Sequence, residues 1–369
     1  MRAVQLTSVH PRDDIRIFRK QCTTLANAGV PISLVVADGK GDSSEAGVRI
    51  IDVGRPLGGR LSRMARVVNR VYRKALELDA DLYHLHDPEL LPIGLKLKKR
   101  GKKVIFDSHE NYPADIRTKH YIPTPARPII SFLFSGLERY ICTRLDHVVA
   151  ATPGIAEHFR AIGCRVLEIN NYPQAEELGE LLPWNDKLDQ VCYVGAMTSI
   201  RGVPELVDAM AHTRLDVRLA LAGRFTEAAT GDLCRKSAGW KRVFEHGQVS
   251  PQQVRTVMQK SMAGVVTFLP APNHIDAQPN KMFEYMAAGI PVIGSNFPLW
   301  RTIIEGNQCG ICVDPTNPSA IASAIGRLMD RRQEAEKMGQ RGRKAILEHY
   351  SWERESSKLI MLYQELLNS

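Results

Sequence analysis

Lys281 and Glu284 stand one helical turn apart, immediately after Pro279, in the string DAQPNKMFEYMAAGIPVIGSNFP (276–298). An irregular loop ending in proline and running into a helix leaves backbone N–H groups unpaired at the positive end of the helix dipole, which favours an anion such as a phosphate. Lys281 brings a cation to the same place. A phosphate repels Glu284, which suits the hydroxyl pair of a ribose instead, because a carboxylate only accepts. Phosphate and ribose together indicate a nucleotide. Asp276 stands at the upstream edge, with seven residues between it and Glu284.

A second loop has a related chemistry. In YVGAMTSIRGVPELVDAM (193–210), Gly195 follows an apolar strand and lets a ligand approach the backbone, while Arg201 supplies a guanidinium suited to a diphosphate. Pro204 fits the first turn of the helix that follows. In a parallel sheet this loop and the one bearing Lys281 can reach the same edge.

The elements that must position these residues alternate short apolar runs with amphipathic stretches, the pattern of parallel sheets with helical crossovers. Seven strands are predicted in residues 1–172, at 3–6, 32–36, 49–53, 82–85, 103–106, 147–150 and 166–169. Residues 170–189 carry Pro173 and Pro183, lack a sustained period and read as a linker. Six more strands follow, at 190–194, 217–222, 242–245, 263–268, 291–294 and 310–313. The fold class is therefore α/β, with two doubly wound parallel-sheet domains at 1–172 and 173–349. The apolar residues of 353–367 predict a docked final helix, and 350–369 is expected to pack back on the first domain. A chain of 369 residues fits two cores better than one.

Composition removes several classes. No apolar run approaches the ~20 residues that span a bilayer, and MRAVQLTSVHP has no signal-peptide core, so the expected location is cytoplasmic. Seven scattered cysteines do not suggest a disulfide framework, and Cys309 and Cys312 alternate with Ile311 and Val313 as in a strand rather than a metal site. No acidic pair ends an apolar strand, and Asp13 and Asp14 lie between Arg12 and Arg16, so no metal cofactor is expected.

The net charge is +9, and 55–103 holds thirteen Lys or Arg against five Asp or Glu. Within it, Arg60, Arg63, Arg66, Arg70, Arg73 and Lys74 recur at helical spacing, opposite an expected apolar stripe of Leu61, Met64, Val68, Val71, Ala75 and Leu78. Such a helix fits an anionic membrane surface or a lipid phosphate, which makes Arg63, Arg66 and Arg70 candidates for that contact. With one aromatic, Tyr72, and no binding motif, the segment does not predict nucleic acid.

PNKMFEYMAAGIPVI, with the PLW and CGICVDP after it, resembles the signature of the retaining GT-B glycosyltransferases of family 4, whose mark is two glutamates with seven residues between them. HLHDP (84–88), DSHE (107–110), VGAMTSIRG (194–202) and the closing YSWERESSKLIMLYQELL (350–367) extend the resemblance over almost the full length. It implies two Rossmann-like domains facing across a cleft, an N-terminal acceptor domain and a C-terminal donor domain. The co-substrate would be a nucleotide-diphosphate sugar and the acceptor a glycan or lipid-linked molecule in cell-surface polysaccharide or glycolipid assembly, with the enzyme peripheral at the inner face of the membrane. Glu284 would hold the ribose, Arg201 and Lys281 the diphosphate, and Asp276 would face the donor sugar. His109 matches the histidine near the transferred sugar, whose backbone carbonyl can stabilise an oxocarbenium-like transition state. Asp276 replaces the usual Glu, and Ala196 stands where many members have a second phosphate-binding Arg. His10 and Arg12, in the first loop, would face the acceptor. Two further readings use the same scaffold: a nucleotide-sugar epimerase, and a non-catalytic membrane-binding module. His84 reads as a core residue, and Asp87 and Glu89 as caps for the helix after Pro88.

Overall fold

A computed structural model describes residues 1–56, 58, 60–117, 122–174 and 179–368, the side chains of 60–63 excepted. Its contacts divide the chain into two units, Met1–Asn171 with Trp352–Ser369, and Tyr172–Ser351.

In the first unit the described strands are β1 (Ala3–Leu6), β2 (Ile32–Val36), β3 (Ser43–Glu45), β4 (Val48–Asp52), β5 (Leu82–Leu85), β6 (Lys103–Ser108), β7 (His147–Ala150) and β8 (Val166–Glu168). They form one sheet in the order β3-β4-β2-β1-β5-β6-β7-β8. Every pairing is parallel except β3 with β4. That hairpin departs from the expected all-parallel sheet. Its strand Ser-Ser-Glu is exposed throughout, so no apolar alternation announces it. Chain order reverses between β1 and β5, which opens a crevice beyond their carboxyl ends, where the loops begin that carry His10 and His86.

One helix of this unit is wound as a π-helix, Ile15–Cys22, in which residues five apart align. Arg16 and Gln21 consequently both reach the buried carboxylate of Asp107, at 2.8 and 2.5 Å. The helix starts where Asp14 accepts the N–H groups of Arg16 and Ile17. The basic helix spans Arg60–Leu78. It buries Val67, Val71 and Ala75, an i, i+4, i+8 seam, whereas Met64 of the expected stripe is exposed and Leu61 lies outside the described side chains. The C-terminal helix, Trp352–Asn368, buries Leu359, Leu362, Tyr363 and Leu366 in the core that also holds Leu34, Val36 and Ile105.

In the second unit the described strands are β9 (Gln190–Val194), β10 (Arg218–Ala222), β11 (Val243–Gly247), β12 (Ala263–Val266), β13 (Val292–Ser295) and β14 (Gly310–Val313). They make a wholly parallel sheet in the order β11-β10-β9-β12-β13-β14. Here the order reverses between β9 and β12. The loops leaving those two strands run from Gly195 to Arg201 and from Thr267 to Pro279.

Candidate functional site

The helix after the second loop spans Asn280–Ala287. Its N-cap is Pro279, whose carbonyl accepts the N–H of Met282 at 3.0 Å; no side chain caps the helix, so no cap side chain takes the N–H groups of its first turn. Met282, Phe283, Tyr285 and Met286 are buried. Tyr285 fixes the helix to the sheet: its hydroxyl donates to the carbonyl of Val265 at 3.3 Å and accepts the N–H of Val194 at 3.1 Å. Its ring occupies the space a Cβ on Gly264 would need, 2.1 Å away. At the far end Gly289 adopts φ +66°, and Ile290 N–H returns to the carbonyl of Tyr285 at 3.1 Å, a left-handed stop.

Lys281 is 8% exposed, and its ammonium has no hydrogen-bond partner among the described residues. Aromatic rings supply its surroundings, Tyr193 at 3.8 Å and Phe268 at 5.2 Å from Nζ to ring centre. Burial pushes its pKa well below the usual lysine range, and the charge of Arg201 adds to the effect, while Glu284 opposes it. Gly195 has φ +107°, and a Cβ there would lie 3.4 Å from the Lys281 ammonium, so glycine both permits the turn and leaves the cation accessible. Arg201 lies with its guanidinium 5.5 Å from the Phe268 ring and donates to the carbonyl of Ala196 at 3.1 Å. That carbonyl also accepts from Tyr193 Oη at 2.9 Å, which steadies the loop. Gly195, Arg201 and Lys281 are thus gathered around Tyr193 and Phe268. Glu284 follows one turn along, half-buried, and is electrostatically coupled to Lys281.

Further polar atoms on the same two loops are buried without a partner: Thr198 Oγ1, Thr267 Oγ1 and Gln278 Oε1. None of these was singled out from sequence, nor were Tyr193, Phe268 and His274. His274 is buried against Phe268 and held by the carbonyl of Leu269 at 3.0 Å. Their common signal is topological: all lie on the two switch-point strands or on the loops that leave them. Asp276 is exposed at the end of a short helix, Pro272–Ile275. Trp300 Nε1 donates to the neighbouring carbonyl of Ala277 at 2.7 Å and anchors that loop.

In the first unit His109 is half-buried, its ring edge-on to His10 with centres 5.2 Å apart and to Tyr112 at 6.4 Å. Burial is the chief cause that lowers its pKa to about 4, against the opposing pull of Asp107. His10 is shifted upward: burial works against its charge, but the hydrogen bond to Asp14 and the carboxylates of Asp87 and Asp107 prevail. Arg12 is committed to structure, donating to Asp38 twice at 2.7 Å, to Ser43 Oγ at 2.9 Å and to the Gly41 carbonyl at 2.7 Å. Of the basic-helix candidates, Arg66 is exposed and Arg70 donates to the Arg55 carbonyl at 3.1 Å, while the Arg63 side chain lies outside the described residues. Asp87 does not cap its own helix. It accepts from Thr7 Oγ1, Ser8 N and Ser8 Oγ across the crevice, at 2.9, 2.6 and 3.1 Å.

Among the described residues, His84, His86 and Asp107 form the cluster whose geometry could hold a metal ion. Asp107 is already bonded to the Arg16 guanidinium, whose charge opposes a cation there. The imidazoles are engaged too, His86 with Gln5 at 2.9 Å and His84 with the Tyr363 hydroxyl at 2.9 Å.

Two doubly wound units, each with polar loops at its switch point, define the GT-B class of α/β protein. A family profile described as Glycosyltransferase Family 4 matches residues 16–170, and one described as Glycosyl transferases group 1 matches 175–345. The chain belongs to this family of GT-B glycosyltransferases. It is similar to phosphatidyl-myo-inositol mannosyltransferase of Mycobacterium leprae, 23% identical over 87% of this chain and 84% of that one. The chain spans about half the length of two other curated relatives it matches, 50% and 43%. Among solved structures, sucrose-phosphate synthase of Thermosynechococcus elongatus superposes with a TM-score of 0.79 at 18% identity, covering 100% of both chains. Anabaena HepE in complex with UDP does so with a TM-score of 0.72 at 14% identity, over 99% of this chain and 100% of that one.

Proposed function

We propose that this protein transfers a sugar, with retention of configuration and without a metal ion, from a nucleotide-diphosphate sugar to a glycan or lipid-linked acceptor in cell-surface polysaccharide or glycolipid assembly. The observation that carries the reading is the buried, unpartnered ammonium of Lys281 beside Arg201 at an uncapped helix start. A diphosphate supplies what those groups lack. The dinegative leaving group gains charge as the glycosidic bond breaks, and fixed cations and N–H groups in a water-poor site stabilise that charge. Tyr193 and Phe268 exclude water from the ammonium, which strengthens its effect. Glu284 is assigned to the ribose hydroxyls and Asp276 to the sugar, with His109 attending the transferred sugar through its carbonyl. UDP in the HepE structure supports a nucleotide in this class of site. The basic helix supports a peripheral placement at the inner face of a membrane; no described helix is long and apolar enough to cross a bilayer.

Glu284→Ala should lose nucleotide-sugar binding and turnover, while the circular dichroism of the fold is retained. Product NMR should show the anomeric configuration of the donor. Unchanged donor affinity in Glu284→Ala would sink the site assignment, and an inverted anomer would sink the retaining mechanism.

A further inference from the structure

Helix Ala126–Cys142 of the first unit is built inside out. Its only acid, Glu138, is 1% exposed and bonded to His158 Nε2 at 2.8 Å, and Ser131 is equally buried, its hydroxyl donating to the carbonyl of Pro113 at 2.7 Å. Ile141 and Phe134 pack toward the core, but six large apolar side chains point the other way. Phe132 is 77% exposed, Leu133 64% and Ile129 63%, with Ile130, Leu137 and Tyr140 exposed beside them. At about 100° per residue these six cover an arc of roughly 160° on one side of the helix. Scattered exposed apolar residues need no explanation, but a contiguous face of this kind marks an interaction surface.

The charge around that face selects its partner. Between residues 126 and 144 the cations are Arg127, Arg139 and Arg144; Arg139 and Arg144 are exposed, and the acid that would balance them is buried. The neighbouring helix Leu91–Lys98 and the loop after it add exposed Lys96, Lys99 and Arg100, and the basic helix Arg60–Leu78 shares the same core cluster and hence the same face of the sheet. A second copy meeting this face would set cations against cations. An apolar stripe whose own helix and the adjoining Leu91–Lys98 expose cations and no acid, with the partly exposed Asp115 of the Tyr112–Ile116 helix the nearby exception, matches an anionic bilayer, with the side chains in the acyl boundary and the arginines at the phosphates. At about 25 Å the helix would lie in the surface.

We propose that the apolar face of helix Ala126–Cys142 inserts into an anionic membrane surface, anchored by Phe132, Leu133 and Ile129 and flanked by Arg139 and Arg144. The inference rests on the peripheral-membrane part of the proposed function and moves the insertion site off the basic helix, which contributes attraction but buries its own apolar seam.

The test is co-sedimentation of the full chain with phosphatidylcholine vesicles, with and without phosphatidylglycerol. Phe132→Gln with Leu133→Gln should weaken binding by roughly tenfold per side chain, and Arg139→Gln with Arg144→Gln by about fivefold each, the latter only on anionic vesicles. Circular dichroism and UDP-induced thermal stabilisation should be unchanged in both variants. Wild-type binding by the Phe132, Leu133 variant would overturn the inference. If Arg66→Gln with Arg70→Gln abolished binding in that case, the membrane reading would survive and this helix would be excluded. Equal binding to neutral vesicles would overturn the anionic partner. A wild-type dimer in sedimentation velocity, split by the Phe132 and Leu133 changes without vesicle binding, would assign the face to a second copy. Failure of UDP to stabilise the wild type would defeat the donor reading and leave this one standing.

Discussion

The two units each gather polar side chains at the switch point of a parallel sheet, and they satisfy them differently. Around Asp107 in the first unit, Arg16, Gln21, Gln5, His86, His84 and Tyr363 form a network in which each member has at least one partner inside the unit. Around Lys281 in the second, the ammonium has no hydrogen-bond partner among the described residues, and neither do three more polar atoms on the adjoining loops. The first network leaves only neutral atoms unpaired, Gln21 Oε1, His84 Nε2 and His86 Nδ1, and pairs its charges, which specifies a fold, whereas the second leaves a buried charge unpaired and is completed from outside. The difference separates two clusters that composition alone makes look alike, since both mix cations, acids and histidines behind apolar strands.

Breaking the ion pair at the centre of the first network should have the largest effect. Arg16→Met strands the Asp107 carboxylate, which is fully buried and held well below the usual carboxylate range by Arg16 and His86 against the cost of burial. A loss of about 3 to 5 kcal/mol in the urea unfolding of the chain is expected, and a loss below 1 kcal/mol would show that water reaches Asp107.

His109 sharpens the comparison through pH. Its folded pKa is lowered to about 4 from 6.5, so the unfolded state takes up a proton first as pH falls. Its contribution is complete above pH 6.5 and is lost between 6.5 and about 4, at a cost of about 3 kcal/mol by the lower limit. His10, shifted upward, works in the opposite sense and loses its contribution as pH rises through its folded value. His109→Gln should flatten the acid limb of a stability profile relative to wild type; superimposable limbs would contradict the burial of the ring.

Much of the fold was legible because β-branched runs such as Ile32–Val36 and Val191–Val194 can be little else, and the loops after them could be ranked by topology. What was hidden depends on distant partners. Arg16 reads as a neighbour of Asp14, yet it serves Asp107, ninety-one residues away, because a π-helix brings it into line with Gln21. Arg12 reads as an exposed cation of the first loop and is consumed by Asp38, Ser43 and Gly41. Asp107, beside His109 in sequence, is turned into the core. In the second unit Lys281 and Arg201 were visible from their types and loop positions, but Tyr193 and Phe268 were read only as strand residues. Helix Ala126–Cys142 carried a signal in plain view, with Ile129, Ile130, Phe132, Leu133 and Leu137 exceeding what one buried stripe can absorb.

The central claim is that the Lys281 ammonium awaits an anion, and Lys281→Met tests it in one thermal-shift experiment with and without a nucleoside diphosphate. Without ligand the variant should be more stable than wild type, by about 1 to 3 kcal/mol, because a buried unpartnered cation has been replaced by an apolar side chain of similar length. With ligand, the wild type should be stabilised and the variant should need roughly 10- to 100-fold more nucleotide for the same shift. A variant less stable than wild type, yet stabilised by nucleotide as the wild type is, would contradict the account.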